Sequence, residues 1–370
     1  MLNKEELQRY NRHIILPKFG LECQEKLKGA SVLVIGAGGL GCPILSYLTA
    51  AGVGKIGIVD DDTIDESNLQ RQVLFSTEDV GKAKVQVAKE KLAKQNPFVA
   101  FETYDERLTN DNALTIIANY DIVVDGSDNF PTRYLVNDAC VIQNKILVFG
   151  AIFKFDGQLS VFNYEGGPTY RCLFPEPPTA GEVPNCSDIG VLGVLPALVG
   201  SMMASETIKV ITGIGEVLSG KLLAIDTLTM QQQLLRFQKY EPNTQIEKLT
   251  DYQSFCGIEK TVKPKEKEIN AIDLAQRINK EQIQLIDVRE PFEYEICRIE
   301  ESQLIPLQQL PSRFKEIDPE KTTVVICHHG MRSASAISYL EHNHGFSNLI
   351  NLSGGIDAWA VSVDTSMPRY

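Results

Sequence analysis

The 370-residue chain carries 36 Lys and Arg against 48 Asp and Glu, a net charge of −12, with 43% hydrophobic residues. Its length suits two or three domains with separate cores, and its acidic balance argues against general binding to nucleic acid or to an anionic membrane. The start, Met1-Leu2-Asn3-Lys4-Glu5-Glu6, lacks the apolar stretch of a signal peptide. The longest uncharged run, 189–205, holds Pro196 and three glycines. It is shorter than the ~20 residues of a bilayer span and reads as a buried loop and helix. Eight widely spaced cysteines without an export signal imply reduced thiols and a cytoplasmic protein.

In chain order, residues 5–28 begin as a helix, with Arg9 and Arg12 readable as a solvated face. Val32-Leu33-Val34-Ile35 is a short buried strand, followed at once by Gly36-Ala37-Gly38-Gly39-Leu40-Gly41 and a helix from Pro43 to Ala51. This is Gly-x-Gly-x-x-Gly between strand and helix, where free N–H groups and the helix dipole favour a phosphate. A second strand, Ile56–Val59, ends in Asp60, at the distance where such folds hold a ribose hydroxyl. A glycine-rich turn without a ligand is the bland alternative. The helix opened by Gly81-Lys82-Ala83-Lys84 runs to about Lys94 and ends before Pro97. Strands are expected at Val99–Thr103, Ile122–Val124 and Ile146–Phe149, with helices at Asp111–Asn119 and Pro131–Gln143. The alternation predicts a mostly parallel sheet covered on both faces. The later strands, Gly157–Phe162 and Lys221–Ile225, bracket a Pro-rich segment, Gly166 to Pro184, expected to be an exposed crossing loop.

Polar residues at the carboxyl ends of parallel strands gather in one crevice. Asp60, Asp128 and the glycine turn should therefore face one site, with Arg71 and Lys84 near enough in sequence to join it. Cations that neutralise phosphate oxygens and a carboxylate able to hold Mg²⁺ suit nucleotidyl transfer better than a dinucleotide pocket. There is no Gly-x-x-x-x-Gly-Lys-Ser/Thr, which sets the chain apart from P-loop ATPases.

Arg9-Tyr10-Asn11-Arg12, the glycine turn, Ser67-Asn68-Leu69-Gln70-Arg71-Gln72, Gly81-x-x-Lys84 and Ser127-Asp128-Asn129 together resemble the MoeB/ThiF adenylyltransferases, relatives of ubiquitin-activating enzymes. The resemblance runs through about Tyr240. It implies that a small β-grasp sulfur-carrier protein ending in Gly-Gly is activated by ATP as an acyl-adenylate. It also implies roles: Asp60 on the ribose, Gly36, Gly38, Gly39, Gly41 and Asn68 in the ATP site, Lys84 on the phosphates, Arg71 on ATP, and Asp128 on Mg²⁺. Arg12 would reach the site of a second subunit, implying a homodimer.

Many members of that family carry a structural zinc on two Cys-x-x-Cys pairs. Here the pairs read Thr169-Tyr170-Arg171-Cys172 and Gln253-Ser254-Phe255-Cys256, so half of a four-ligand site is missing and no zinc is expected. Cys172 and Cys256 are then expected to pack as small apolar groups. Cys186, in Pro184-Asn185-Cys186-Ser187-Asp188, aligns with the cysteine some relatives use to hold the activated carrier. Its polar neighbours suit a reactive thiol, so it is kept as a second nucleophile.

The charged run 259–268 reads as a linker between a first domain, 1–258, and a second, 269–370. There, helix Ala271–Ile278 and strand Gln284–Ile286 precede a strand Thr323–Ile326, the loop Cys327-His328-His329-Gly330-Met331-Arg332-Ser333 and a helix Ser333–Glu341. A cysteine among backbone N–H groups at a helix start, beside Arg332, is set to become a thiolate or persulfide. An inert core cysteine at a strand end is the alternative. Asp287-Val288-Arg289-Glu290, the Cys-x-x-Gly-x-Arg-Ser loop and Gly354-Gly355-Ile356-Asp357-Ala358-Trp359 resemble a rhodanese domain. The departure is Cys297-Arg298-Ile299-Glu300-Glu301, where that family has a His-x-x-Gly-Ala type turn.

The combined expectation is an α/β protein with a Rossmann-like adenylation domain and a smaller α/β sulfurtransferase domain. It would activate a carrier, by preference the molybdopterin-synthase small subunit, and turn its C-terminus into a thiocarboxylate. Carriers of thiamine synthesis or tRNA thiolation stay open. A cysteine desulfurase or other donor would supply the sulfur. The rivals are an NAD-dependent oxidoreductase, which leaves Arg71, Lys84, Asp128 and the tail unexplained, and a non-catalytic scaffold.

Overall fold

The computed structural model describes residues 1–178, 190–257, 267–278 and 280–370. Cys186 and most of the charged run after Gly257 lie outside the described residues. The chain divides into two compact units, Met1–Glu259 and Lys260–Tyr370.

The first unit is built on eight strands: β1 (Ser31–Ile35), β2 (Lys55–Val59), β3 (Ala100–Tyr104), β4 (Ile122–Asp125), β5 (Ile146–Phe153), β6 (Asp156–Phe162), β7 (Lys221–Asp226) and β8 (Gln231–Arg236). They lie in the order β3-β2-β1-β4-β5-β6-β7-β8. The first five run parallel, and β6, β7 and β8 are added antiparallel. The parallel strands are apolar because both faces are covered. Val32 and Val34 join one buried cluster while Leu33 and Ile35 join the other, the two-residue alternation of a strand. The helix Val194–Thr212 has the length and apolarity to cross a bilayer, but here it packs on this sheet. A side chain at Gly150 would collide with Met203, and one at Gly157 with Val199.

The structure refines the sequence reading in three places. The helical start is broken into Lys4–Arg9, Asn11–Ile14 and Gly20–Gly29, because Pro17 intervenes and Gly20 turns at φ +64. The Pro-rich crossing segment is not simply an exposed loop. Its described part holds the short helix Tyr170–Leu173, with Thr169 and Tyr170 buried, since Tyr170 packs among Tyr134, Phe149 and Phe162. The strand β8 went unread because all six of its residues are exposed and no apolar alternation marks it.

The second unit holds β9 (Glu268–Ile269), β10 (Ile283–Asp287), β11 (Gln303–Leu304), β12 (Thr322–Ile326) and β13 (Leu349–Leu352). All are parallel, in the order β11-β10-β12-β13-β9. The end of the expected linker, Glu268, already pairs with Asn351 in β9. Strands of two residues carry no periodicity, so β9 and β11 exist only through their partners.

Candidate functional site

Each unit presents a strand–turn–helix site. In the first, Gly36 directly follows β1 at φ +87, a left-handed conformation that glycine adopts without strain. A Cβ at Gly41 would lie 2.0 Å from the Gly36 carbonyl oxygen, so the helix Gly41–Ala51 can spring from this turn only with glycine there. A Cβ at Gly36 would lie 3.1 Å from the Gly126 oxygen, which puts the loop after β4 against the turn. Asp60 closes the third side. Its carboxylate accepts the Ala37 N–H at 2.7 Å and the Asp62 N–H at 2.9 Å. Burial pushes its pKa up, against the pull of the nearby Lys84 ammonium.

Lys84 is the first residue of the helix Lys84–Gln95 and its side chain is only 5% exposed. Its Nζ donates to Asp62 Oδ2 at 2.7 Å. A cation is disfavoured both by burial and by the positive end of a helix, so the fold holds this ammonium where only an anion compensates it. Arg71 donates from Nη1 to the Ser67 carbonyl at 3.0 Å. Its stem flanks the turn, since a Cβ at Gly39 would lie 3.6 Å from Arg71 Cγ and 3.1 Å from Pro196 Cβ. Gly38 faces Gln72. Asn68 ends the short helix Glu66–Asn68, and its Oδ1 accepts the Asp65 N–H at 3.2 Å. Gly36, Gly38, Gly39, Gly41, Asp60, Arg71 and Lys84 thus form a connected set, with Asn68 shaping its edge.

Asp128 is exposed on the loop after β4, with one long contact from Asn129 at 3.4 Å. Its carboxylate is thus available to a cation, whereas Asp60 and Asp62 are already engaged. The cluster Asp60-Asp61-Asp62 also brings three carboxylates within 4.8 Å. The donor set at Asp128 fits a hard cation such as Mg²⁺ in partnership with phosphate oxygens. Arg12 lies on the exposed helix Asn11–Ile14 and makes no hydrogen bond or ion pair among the described residues.

Sequence reasoning missed two groups under this loop. Asp125, the last residue of β4, is fully buried; burial raises its pKa, and its Oδ1 accepts the Ser127 N–H at 2.9 Å. Arg133 is also buried, with its guanidinium 5.3 Å from the Phe130 ring centre and 5.7 Å from that of Phe149. A charged residue closing an all-apolar strand was the available signal for Asp125.

The residues around Cys172 and Cys256 do not fit zinc. Cys256 is buried, and burial pushes its thiol up to about 11, away from the thiolate a metal needs. Arg171, next to Cys172 in the chain, donates to Asp138 at 2.7 and 2.8 Å. Its guanidinium lies 4.9 Å from the Tyr134 ring and 4.7 Å from the Phe255 ring, and Tyr252 donates to Asp138 at 2.7 Å. Cys172 departs from the expected apolar packing. Its Sγ accepts the N–H groups of Thr169 and Tyr240, each at 3.4 Å.

In the second unit Cys327 takes the position directly after β12 and is 1% exposed. Its Sγ accepts the Gly330 N–H at 3.0 Å and lies 3.3 Å from Ser333 Oγ. Loop carbonyls are drawn away from the sulfur: Ile356 N donates to Cys327 O at 2.9 Å and Asp357 N to His328 O at 3.2 Å. Asn351, on β13, donates to Gly330 O at 3.0 Å and accepts from Ser333 at 2.6 Å. Arg332 forms two 2.7 Å hydrogen bonds to Glu293. Burial, reinforced by the charge of His329, lowers the His328 pKa to about 4. A wholly buried pair, Asp287 and Arg289 at 2.6 Å, anchors the neighbouring segment. Glu293 and Asn351 had no signal in the sequence, because they reach the loop only through the fold.

Residues 10–248 match the ThiF family, and residues 270–362 match the rhodanese-like domain. Over 380 residues the chain is 44% identical to a probable adenylyltransferase/sulfurtransferase MoeZ of Mycobacterium tuberculosis, covering 100% of this chain and 96% of that protein. It is 40% identical over 390 residues to the adenylyltransferase and sulfurtransferase MOCS3 of Drosophila yakuba, covering 100% and 86%. A sulfur carrier protein adenylyltransferase of Thermus thermophilus is 56% identical over 268 residues, 69% of this chain and 98% of that protein. Among solved structures, E. coli MccB with ATP shares the fold, with a TM-score of 0.58 at 24% identity over 66% of this chain and 75% of that one.

Proposed function

Since the chain belongs to the ThiF family and carries a rhodanese-like domain behind it, we propose that it adenylates the C-terminal Gly-Gly carboxylate of a small β-grasp sulfur carrier and then sulfurates it. The carrier is, by preference, the small subunit of molybdopterin synthase. The observation that supports this most is Lys84, an ammonium held buried beside Asp60 and the glycine turn.

The carrier carboxylate attacks the α-phosphate of ATP, and pyrophosphate leaves. Lys84 exchanges Asp62, whose side chain is 67% exposed and free to swing away, for phosphate oxygens. Arg71 adds a second cation at the mouth of the turn. The turn N–H groups hold the phosphate, and Asp60 accepts from the ribose with its remaining lone pairs. When Mg²⁺ is bound, Asp128 would hold it, and the ion neutralises charge on the leaving pyrophosphate. A carboxylate becomes an electrophile only once AMP is its leaving group.

In the second unit the Cys327 thiolate takes a sulfur atom from a donor persulfide, releasing the donor thiol. Gly330 N–H stabilises the anionic sulfur. The terminal sulfur attacks the acyl-adenylate and AMP departs. Cleavage of the acyl disulfide by a thiol then frees the thiocarboxylate. A cysteine desulfurase is the expected donor. Cys186 is kept as a second nucleophile. The working form is a cytoplasmic homodimer in which Arg12 completes the partner's site; exposed Ile15, Leu16 and Leu21 close by are the kind of surface a partner covers. No structural zinc takes part, since the Cys172 and Cys256 surroundings hold an ion-paired arginine instead.

ATP–pyrophosphate exchange, measured with and without Gly-Gly-ending carriers of the same genome, tests this. Exchange with one carrier that vanishes in Arg71→Ala and Asp128→Ala names the reaction and the partner. Tight NAD binding without ATP binding would overturn it in favour of an oxidoreductase.

A further inference from the structure

Residues 369 and 370 are built into the surroundings of the sulfur-transfer loop. The Tyr370 hydroxyl accepts from Arg289 Nη1 at 2.6 Å and donates to Glu293 Oε1 at 3.2 Å. Glu293 in turn takes both Nη groups of Arg332. The Tyr370 ring lies flat on His328, with centroids 4.5 Å apart and planes 16° from parallel. One residue therefore touches the loop by two independent routes, through a hydrogen-bond relay to Arg332 and through stacking on the residue after Cys327. The relay starts from Arg289, which is fully buried against Asp287, so its origin is rigid. Arg369 fixes the approach of the segment by donating to Asp357 at 2.7 and 3.2 Å.

We propose that Tyr370 is a positioning residue of the sulfur-transfer loop, acting on Arg332 through Glu293 and on the loop backbone through His328. The hydroxyl shares the negative charge of Glu293. Without it that charge bears wholly on Arg332 and on any anionic donor approaching Cys327, and binding of the anion weakens. The ring shields one face of His328. The other groups around that imidazole are His329, Glu293, Asp357 and Arg332, and burial, to which the ring contributes, holds it uncharged well below neutral pH. The inference rests on Cys327 being the residue that carries sulfur.

The test uses the full-length protein with thiosulfate as a small anionic donor and cyanide as acceptor. The Cys327 thiolate attacks the outer sulfur, the S–S bond breaks and sulfite leaves with the electron pair. Cyanide then takes the sulfur as thiocyanate and restores the thiolate. Tyr370→Phe should raise KM for thiosulfate about three- to tenfold with kcat nearly unchanged, the range of one lost hydrogen bond. In a Glu293→Gln background the same change should do nothing, because the carboxylate it acts through is gone. Tyr370→Ala should add a step near pH ~6.5, the ordinary histidine value, to the pH profile of kcat/KM. Parental KM and pH profile in both variants, or a fall in kcat with KM unchanged, would overturn the inference. If the parent gains no sulfur on Cys327 by intact mass, or Cys327→Ala still turns over, the reading of Cys327 falls and this inference with it.

Discussion

Two turns in this protein share one construction and do different work. Both follow a buried parallel strand and open a helix, which gathers N–H groups at a positive helix end. After β1 the position belongs to Gly36, and after β12 to Cys327. In the proposed function, the glycine leaves room for a substrate's phosphate and the cysteine supplies the reacting atom itself. The cations differ too. Lys84 comes from another helix and is paired with an exposed Asp62, a partner easily exchanged for ATP. Arg332 sits within its own loop and is locked to Glu293, which is itself 9% exposed. Under the proposed function, the loosely held cation of the first site suits a large polyanion and the locked cation of the second suits a small sulfur anion. What stands directly behind the strand, and how loosely the cation is held, are the two differences on which that reading rests.

The comparison breaks most severely at the glycine. Gly41→Val should collapse the first turn and cost at least about 3 kcal/mol of stability in the first unit, with exchange lost and the second unit's unfolding unchanged by calorimetry. Gly38→Ala, whose added methyl would meet only Gln72 Nε2 at 3.7 Å, should by contrast leave the stability of the first unit intact.

The next effect is a crossed pair. Lys84→Ala should lower ATP–pyrophosphate exchange about 10²–10³-fold while Cys327 still gains a sulfur in mass spectrometry. Cys327→Ala should do the reverse. A variant that disables both activities would mean that the sites are not separable as described.

Beside Cys172, where the sequence lacks half of a four-cysteine zinc site, the chain has the Arg171–Asp138 pair. Asp138→Ala strands a largely buried guanidinium and should cost about 3 kcal/mol, read as a lower melting temperature of the first unit. Added chelator should not move that temperature.

The last effect is one of pH, felt only in acid. His328 titrates at about 4 in the folded protein against ~6.5 in an open chain. The unfolded state therefore binds the proton more tightly. Stability from this group is full above pH ~6.5 and declines as the pH falls towards 4. Trp359, the single tryptophan and 8% exposed, reports unfolding of the second unit alone. Its transition should soften across that window, and less so in His328→Gln.

The parts of each site that were legible in the sequence are those written locally. Four apolar residues before Gly36, or before Cys327, announce strand, turn and helix together, and Asp60 and Lys84 follow from their places at a strand end and a helix start. Glu293, Asn351 and Tyr370 were illegible because each belongs to an ordinary segment of its own. Arg133 looked like any helical arginine until Phe149, on the neighbouring strand, came under it. The strands β9 and β11 failed for the same reason, two residues long and defined by pairing alone.

By itself the sequence determined the order of most elements and the two strand–turn–helix turns, and it placed Cys327 at the second of them, all consequences of neighbours along the chain. The tertiary structure alone decided that Lys84 is buried against Asp62, that Arg171 pairs with Asp138, and that Arg332 is held by Glu293, which Tyr370 also contacts. Each depends on hydrogen bonds and ion pairs between residues far apart in the chain, whose strength comes from burial, and burial exists only once the sheet and its helices have closed.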